Sequence, residues 1–277
     1  MFFDDHPRFL DTSETSATLD RLNLRHEAII TDNADVLRDS RVLDIVSHDG
    51  RFTFAALKAG ASYVIGLEAR QHLVDNSKAN FAAEGAAPNT YDFVCADVYD
   101  RLAKRDLEVD VVMCLGFLYH TTRYAELFAG IRATGARHII MDTAVLGTTS
   151  KQPFVRIGRE HTAHEWNAVG DPYSYGGRSL VGKPSVAALK VMLEMHDYSL
   201  EKTFDWKGLL DQHPDARSIA QYRTKARMTM RAKHHPQAAG GAGELAGTDD
   251  QAGEPPLSKA EIKRARRRDR LAATPSS

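Results

Sequence analysis

With 277 residues, 43% of them hydrophobic, the chain is long enough for one sizeable α/β core with an insertion. Its 36 basic and 37 acidic residues leave a formal charge of −1, so no chain-wide basic excess points to nucleic acid. Cys95 and Cys114 sit inside apolar runs and read as buried reduced thiols; there is no signal-peptide pattern and no apolar run near ~18 residues, so the expectation is a soluble cytoplasmic protein with no membrane segment.

Residues 1–40 contain "ATLDRLNLRHEAIITDNADVLR", which predicts one or two helices as an N-terminal cap. Strand and helix patterns then alternate. "RVLDIV" (41–46) is a buried strand, "RFTFAALKAG" (51–60) a helix closed by glycine, "SYVIGLEA" (62–69) a strand and "QHLVDNSKANFAAEG" (71–85) a helix. "YDFVCAD" (91–97) and "VDVVMCLGF" (109–117) are strands, "RYAELFAGIRAT" (123–134) a helix and "RHIIMDTAV" (137–145) the fifth strand. This order predicts a doubly wound, Rossmann-like α/β sheet spanning 41–235.

Residues 146–181 break the pattern. They are rich in Gly, His, Tyr and Trp and read as an inserted lid after the fifth strand. "KPSVAALKVMLEMHD" (183–197) predicts a helix. "YSLEKTFDW" (198–206) and "TKARMTMRAK" (224–233) predict two strands with no helix between them, forming an antiparallel edge hairpin. Residues 236–277 lack aromatic side chains and read as a disordered tail, with a basic patch, "KAEIKRARRRDR" (259–270).

The loop "DIVSHDG" (44–50) joins the first strand to its helix. It lacks the Gly-x-x-x-x-Gly-Lys-Ser/Thr of a P-loop and fits Gly-x-Gly-x-x-Gly poorly. S-adenosylmethionine (SAM) has no phosphate and needs one close backbone approach, which Gly50 permits. It also needs carboxylates for its ammonium, sulfonium and ribose diol. Asp44 lies in the first strand near the loop, Glu68 ends the second and suits the ribose hydroxyls, and Asp97 ends the third and suits the adenine amino group.

On "VLDIVSHDG", "VIGLEA", "FVCADVYD" and "DVVMCLGFLYH", residues 40–235 resemble the class I SAM-dependent methyltransferases, departing in the glycine-poor loop. The resemblance implies a seven-stranded sheet, SAM as cofactor, and a cofactor site extended by Ser47, His48, Val98 and Leu115, with Arg25 reaching the SAM carboxylate from a covering helix. "CLGFLYHTTRYAELFAGI" is similar to the tRNA wobble-uridine carboxymethyltransferases and their small-molecule relatives. Of these, a small polyhydroxylated acceptor is expected, a partly methylated mannoside of polysaccharide biosynthesis. The alternatives are a tRNA or nucleoside modifier and a SAM-binding protein without turnover.

Methyl transfer to a sugar hydroxyl calls for alignment and a general base. His120, after the fourth strand, is the candidate base; Asp142, ending the fifth, could orient it, bind substrate or hold a metal. Tyr119 and the lid residues His161, His164, Glu165, Trp166, Tyr173, Tyr175 and Arg178 offer the aromatic faces and polar groups a saccharide needs. "REHTAHE" lacks zinc-site spacing, whereas rim carboxylates could hold Mg2+. The protein could be a homodimer.

Overall fold

The computed structural model describes residues 1–15, 17–147, 151–162, 170–216 and 219–235. The tail, 236–277, lies outside the described residues, as do His164, Glu165 and Trp166 of the lid.

The N-terminal cap comprises α1 (Arg8–Asp11), α2 (Leu19–Ile29) and α3 (Ala34–Leu37), with 3-10 turns at Phe2–Asp4 and Thr31–Asn33. Thr18 starts α2 by accepting a hydrogen bond from the Arg21 amide. The alternating section follows as β1 (Arg41–Ile45), α4 (Arg51–Lys58), β2 (Tyr63–Glu68), α5 (Gln71–Ala83), β3 (Tyr91–Cys95), α6 (Val98–Ala103), β4 (Val111–Leu115), α7 (Tyr124–Ala133) and β5 (His138–Ala144). Helix α6 was not expected from the sequence; its start is set by Asp97 Oδ1, which accepts from the amides of Tyr99 and Asp100. A 3-10 turn, Leu118–His120, follows β4.

The lid is not simply a loop. It contains an antiparallel hairpin of β6 (Val155–His161) and β7 (Arg178–Pro184), separate from the main sheet. The polar composition of "VRIGREH" hid β6, because an exposed two-stranded ribbon has only one side to bury. Then come α8 (Val186–Glu194), β8 (Tyr198–Thr203), α9 (Trp206–Gln212), α10 (Ala220–Arg223) and β9 (Arg227–His234). Two helices therefore separate the last two strands, where none was expected. The Asp205 side chain caps α9 at the Gly208 amide, and Trp206 buries against Tyr222 of α10.

The main sheet has the order β3-β2-β1-β4-β5-β9-β8. β1 to β5 are parallel; β9 runs antiparallel between β5 and β8. Alternation along the strands divides the core. Leu43, Ile45, Ile65, Leu67, Val112, Cys114, Ile139 and Met141 pack against α6, α7 and α8 on one face. Val42, Val64, Val111, Met113 and Ile140 pack on the other face with Phe3, Phe9, Phe54 and Phe81 from the cap, α4 and α5. The chain reverses its direction of winding between β1 and β4, and the carboxyl ends of these neighbours open the crevice where such sheets bind ligands. Among the described residues, no helix is long and apolar enough to cross a membrane.

Candidate active site

The turn after β1 alternates left-handed residues: Val46 (φ 62°), His48 (φ 55°) and Gly50 (φ 81°). Only the third is glycine. A β-branched residue at positive φ is strained, on the order of 1–3 kcal/mol, and persists only when its surroundings enforce it. Here they do. The Ser47 amide donates to Leu67 O at 2.7 Å, the His48 amide donates to Glu68 Oε2 at 3.1 Å, and Ser77 Oγ donates to His48 O at 3.0 Å. Asn80 donates to Asp49 O, while Arg51 and Thr12 donate to the Asp49 carboxylate. A Cβ on Gly50 would lie 3.0 Å from Phe93 and 3.2 Å from Phe81 and Ser77. Gly66 in β2 is required too: its Cβ would lie 2.5 Å from the Phe93 ring and 2.8 Å from Ser47 Oγ.

This turn floors a cleft of about 940 Å3. Asp44, Glu68 and Leu115 line it from the sheet, Asp97 and Val98 from the start of α6, Arg21 and Arg25 from α2, and Arg156, Glu160 and Lys183 from the hairpin. Four buried polar atoms in its walls lack a hydrogen-bond partner among the described residues: Asp44 Oδ1, Ser47 Oγ, His48 Nε2 and Arg25 Nε. Buried polar groups are normally satisfied, so four orphans in one cleft indicate a polar ligand. Burial pushes the Asp44 carboxyl up to about 7, against the hydrogen bond it accepts from Thr53 Oγ1 at 2.6 Å. Arg51 Nη2 donates to His48 Nδ1 at 2.9 Å, which leaves the neutral ring's proton on the unpartnered Nε2.

Glu68 is buried, and Arg70 covers it with bonds of 2.8 and 3.2 Å to its two oxygens. Arg70 also lines the cleft, so a ribose diol at Glu68 would share the carboxylate with it or displace it. Asp97 combines its place in the cleft wall with capping α6.

His120 lines the cleft from the 3-10 turn after β4. Its Nδ1 lies 2.6 Å from Glu160 Oε2 on β6. An ionised carboxylate only accepts, so Nδ1 donates and Nε2 keeps its lone pair. Glu160 was not singled out in the sequence, and no local pattern links residues 40 positions apart.

Asp142 stands apart from direct chemistry. It is wholly buried and is not among the residues that line this cleft. Arg25 Nη2 (3.2 Å) and Arg227 Nε (2.5 Å) donate to Oδ1; Tyr222 Oη (2.8 Å) and Thr229 Oγ1 (2.7 Å) donate to Oδ2. Burial raises its carboxyl, but the Arg227 and Arg25 guanidiniums outweigh burial and hold it down at about 2. With every lone-pair direction engaged, it is a poor proton acceptor and has no room for a metal. Arg227 in turn donates to Tyr119 Oη at 3.2 Å, and the Tyr119 ring packs 4.2 Å from that of His120. Asp142 thus orients the wall beside the histidine through Arg227, a residue only the β5–β9 pairing brings here.

The remaining lid candidates diverge. His161 accepts from Arg178 Nε at 3.0 Å at the outer end of the hairpin. Tyr173 and Tyr175 are 72% and 91% exposed, and the cleft walls include neither of them, nor His161 or Arg178. No group of three or more His, Cys, Asp or Glu among the described residues is arranged to hold a metal ion.

A family profile described as a methyltransferase domain matches residues 42–134, about a third of the chain. The structure is similar to an S-adenosylmethionine-dependent methyltransferase from Mesorhizobium loti, with 16% identity and a TM-score of 0.55, covering 77% of this chain and 100% of that one. It is similar to the N-terminal domain of EvdMO1, solved in the presence of SAH and D-fucose (17% identity, TM-score 0.53, 80% of this chain and 85% of that one). It is also similar to the SAH-bound magnesium protoporphyrin IX methyltransferase of Synechocystis PCC 6803 (15% identity, TM-score 0.52, 84% and 97%). The fold is that of the SAM-dependent methyltransferases. A comparison with curated proteins gives no significant match.

Proposed function

We propose that this protein is a SAM-dependent O-methyltransferase acting on a hydroxyl of a small polyhydroxylated acceptor. One observation carries the reading: the His120–Glu160 pair lies in the same cleft as the four orphaned polar atoms. Asp44, Ser47, His48 and Arg25 suit the ammonium and carboxylate of a methionyl group; Glu68 and Asp97 suit ribose and adenine. SAM held there would supply a methyl group on a sulfonium, a leaving group that needs no protonation.

The protein's own contribution is then alignment and proton removal. A hydroxyl is a weak nucleophile. His120 Nε2 accepts its proton as the oxygen attacks, and Glu160 stabilises the resulting imidazolium through Nδ1. Arg227 and Tyr119 keep the ring's neighbour in place. The cap and hairpin cover the cleft from two sides and limit water.

A saccharide acceptor is supported by the D-fucose reported with the EvdMO1 domain. The short N-terminal helices and Gly/Tyr/His-rich lid further suggest the reaction class of the mycobacterial mannoside 1-O-methyltransferase, with a partly methylated mannoside as acceptor. The test is transfer of labelled methyl from SAM to mannose oligosaccharides, both neutral and phosphorylated, and, in parallel, to bulk tRNA. Label in saccharides by the native protein, and its loss in His120→Ala, supports the reading. Label in RNA alone, or SAH binding with no transfer to either pool, overturns it.

A further inference from the structure

The hairpin carries a charge arrangement that the proposed reaction does not use. Arg156 on β6 and Lys183 on β7 are direct cross-strand partners. Like charges directly opposite one another destabilise a strand pair, because their Cβ atoms stand only about 5 Å apart. Both residues line the cleft. They share the face that carries Glu160 and Ser179, since side chains alternate along each strand. No side-chain hydrogen bond or ion pair holds either one among the described residues. The nearest acid on that face, Glu160, is engaged by His120. Asp171, also in the cleft wall, faces Arg123 at 3.9 Å.

Arg156 is exposed and Lys183 half-buried at the cleft wall, and two unpaired cations held side by side there offer a two-point site for an anion. The hairpin is fixed enough to present them: Tyr124 Oη donates to Gly182 O at 2.5 Å, next to Lys183, and the Ser185 hydroxyl accepts from the Phe154 amide. At about 3.4 Å per residue, Arg156 stands about 14 Å along β6 from Glu160. The Arg156 and Lys183 side chains are shorter than this interval and span only part of it, which leaves a gap between the cations and His120.

We propose that Arg156 and Lys183 bind an anionic group, a phosphate or a carboxylate, borne by the acceptor at about one sugar ring's distance from the hydroxyl presented to His120. The inference rests on the proposed function and narrows it: the acceptor is an acidic or phosphorylated saccharide, since a neutral mannoside would leave both cations without a counter-charge.

The test is titration calorimetry on the full chain, with inorganic phosphate and with acetate, each with and without saturating SAH. The expected result is saturable binding of one of the two anions at one site per chain, undiminished by SAH. Binding should be about tenfold weaker or more in Arg156→Gln/Lys183→Gln and unchanged in the exposed control Lys207→Gln. Whether phosphate or acetate binds decides between the two acceptor chemistries. Equal binding by the double variant, no saturable binding of either anion, or competition by SAH, which would give the pair to the cofactor's carboxylate, each overturns the proposal. SAH affinity is read in the same titrations. Anion binding without SAH binding would remove the methyltransferase reading and leave the anion site; SAH binding without anion binding would do the reverse.

Discussion

His120 Nδ1 and Glu160 Oε2 meet at 2.6 Å across the junction between the main sheet and the lid hairpin. The bond fixes the tautomer of the imidazole and ties a residue of the core fold to a residue of the insertion. Removing the imidazole should lower kcat by about 10²–10⁴-fold, the usual loss for a general base, with SAH affinity unchanged. Glu160→Gln should lower kcat less, because the ring remains. Steady-state rates over pH, with SAH titrations as the binding control, check both; unchanged kcat in His120→Ala would remove it from the mechanism.

Asp44 gives a pH prediction for cofactor binding. Its carboxyl sits at about 7, so below that pH it holds a proton in the ligand-free protein. A bound ammonium favours the ionised form. SAH affinity should therefore fall by about tenfold per unit as pH drops below about 7, and level off above it. Asp44→Asn should bind more weakly at high pH and show no such slope. The sign for stability is opposite: an acid with a raised folded-state pKa stabilises the ligand-free fold least at high pH. Its contribution is lost as pH rises from 3.8 through about 7. Calorimetry across this range checks the first claim and thermal melts check the second.

Asp142→Asn should cost about 3–5 kcal/mol, because it leaves Arg227 and Arg25 buried without their counter-charge. The folded carboxyl lies at about 2 and its ordinary value is 3.8, so this stabilisation is present above 3.8 and is lost as pH falls towards 2. The stability gap between native protein and variant should accordingly narrow over that window in denaturant titrations. A constant gap would mean the ion pair is not its source.

The strained turn makes a contrast between two substitutions. Val46→Gly relieves a positive φ and adds chain entropy, so its net effect should lie within about 1 kcal/mol of zero. Gly50→Val meets Phe93, Phe81 and Ser77 at a positive φ and should destabilise by about 2–4 kcal/mol. Thermal melts of both variants decide; equal losses would show that the turn does not hold these torsions in solution.

The sequence by itself determined the alternating α/β order, the two faces of the sheet and the rim that carries Asp44, Glu68 and Asp97. Each follows from local periodicity, and in a parallel sheet periodicity dictates which strand ends share an edge. The departure at "DIVSHDG" was legible too, but not its meaning: Val46 and His48 adopt glycine-like torsions because Leu67, Glu68, Ser77 and Asn80 hold them, and those contacts are tertiary. Helix α6 and the pair α9–α10 were missed because their lengths fall below the span over which a helical period shows. Only the folded chain joined Glu160 to His120, enclosed Asp142 among four donors, and set Arg156 opposite Lys183. Each of these depends on strand register or on the packing of an insertion, where the deciding energy lies between residues far apart in sequence.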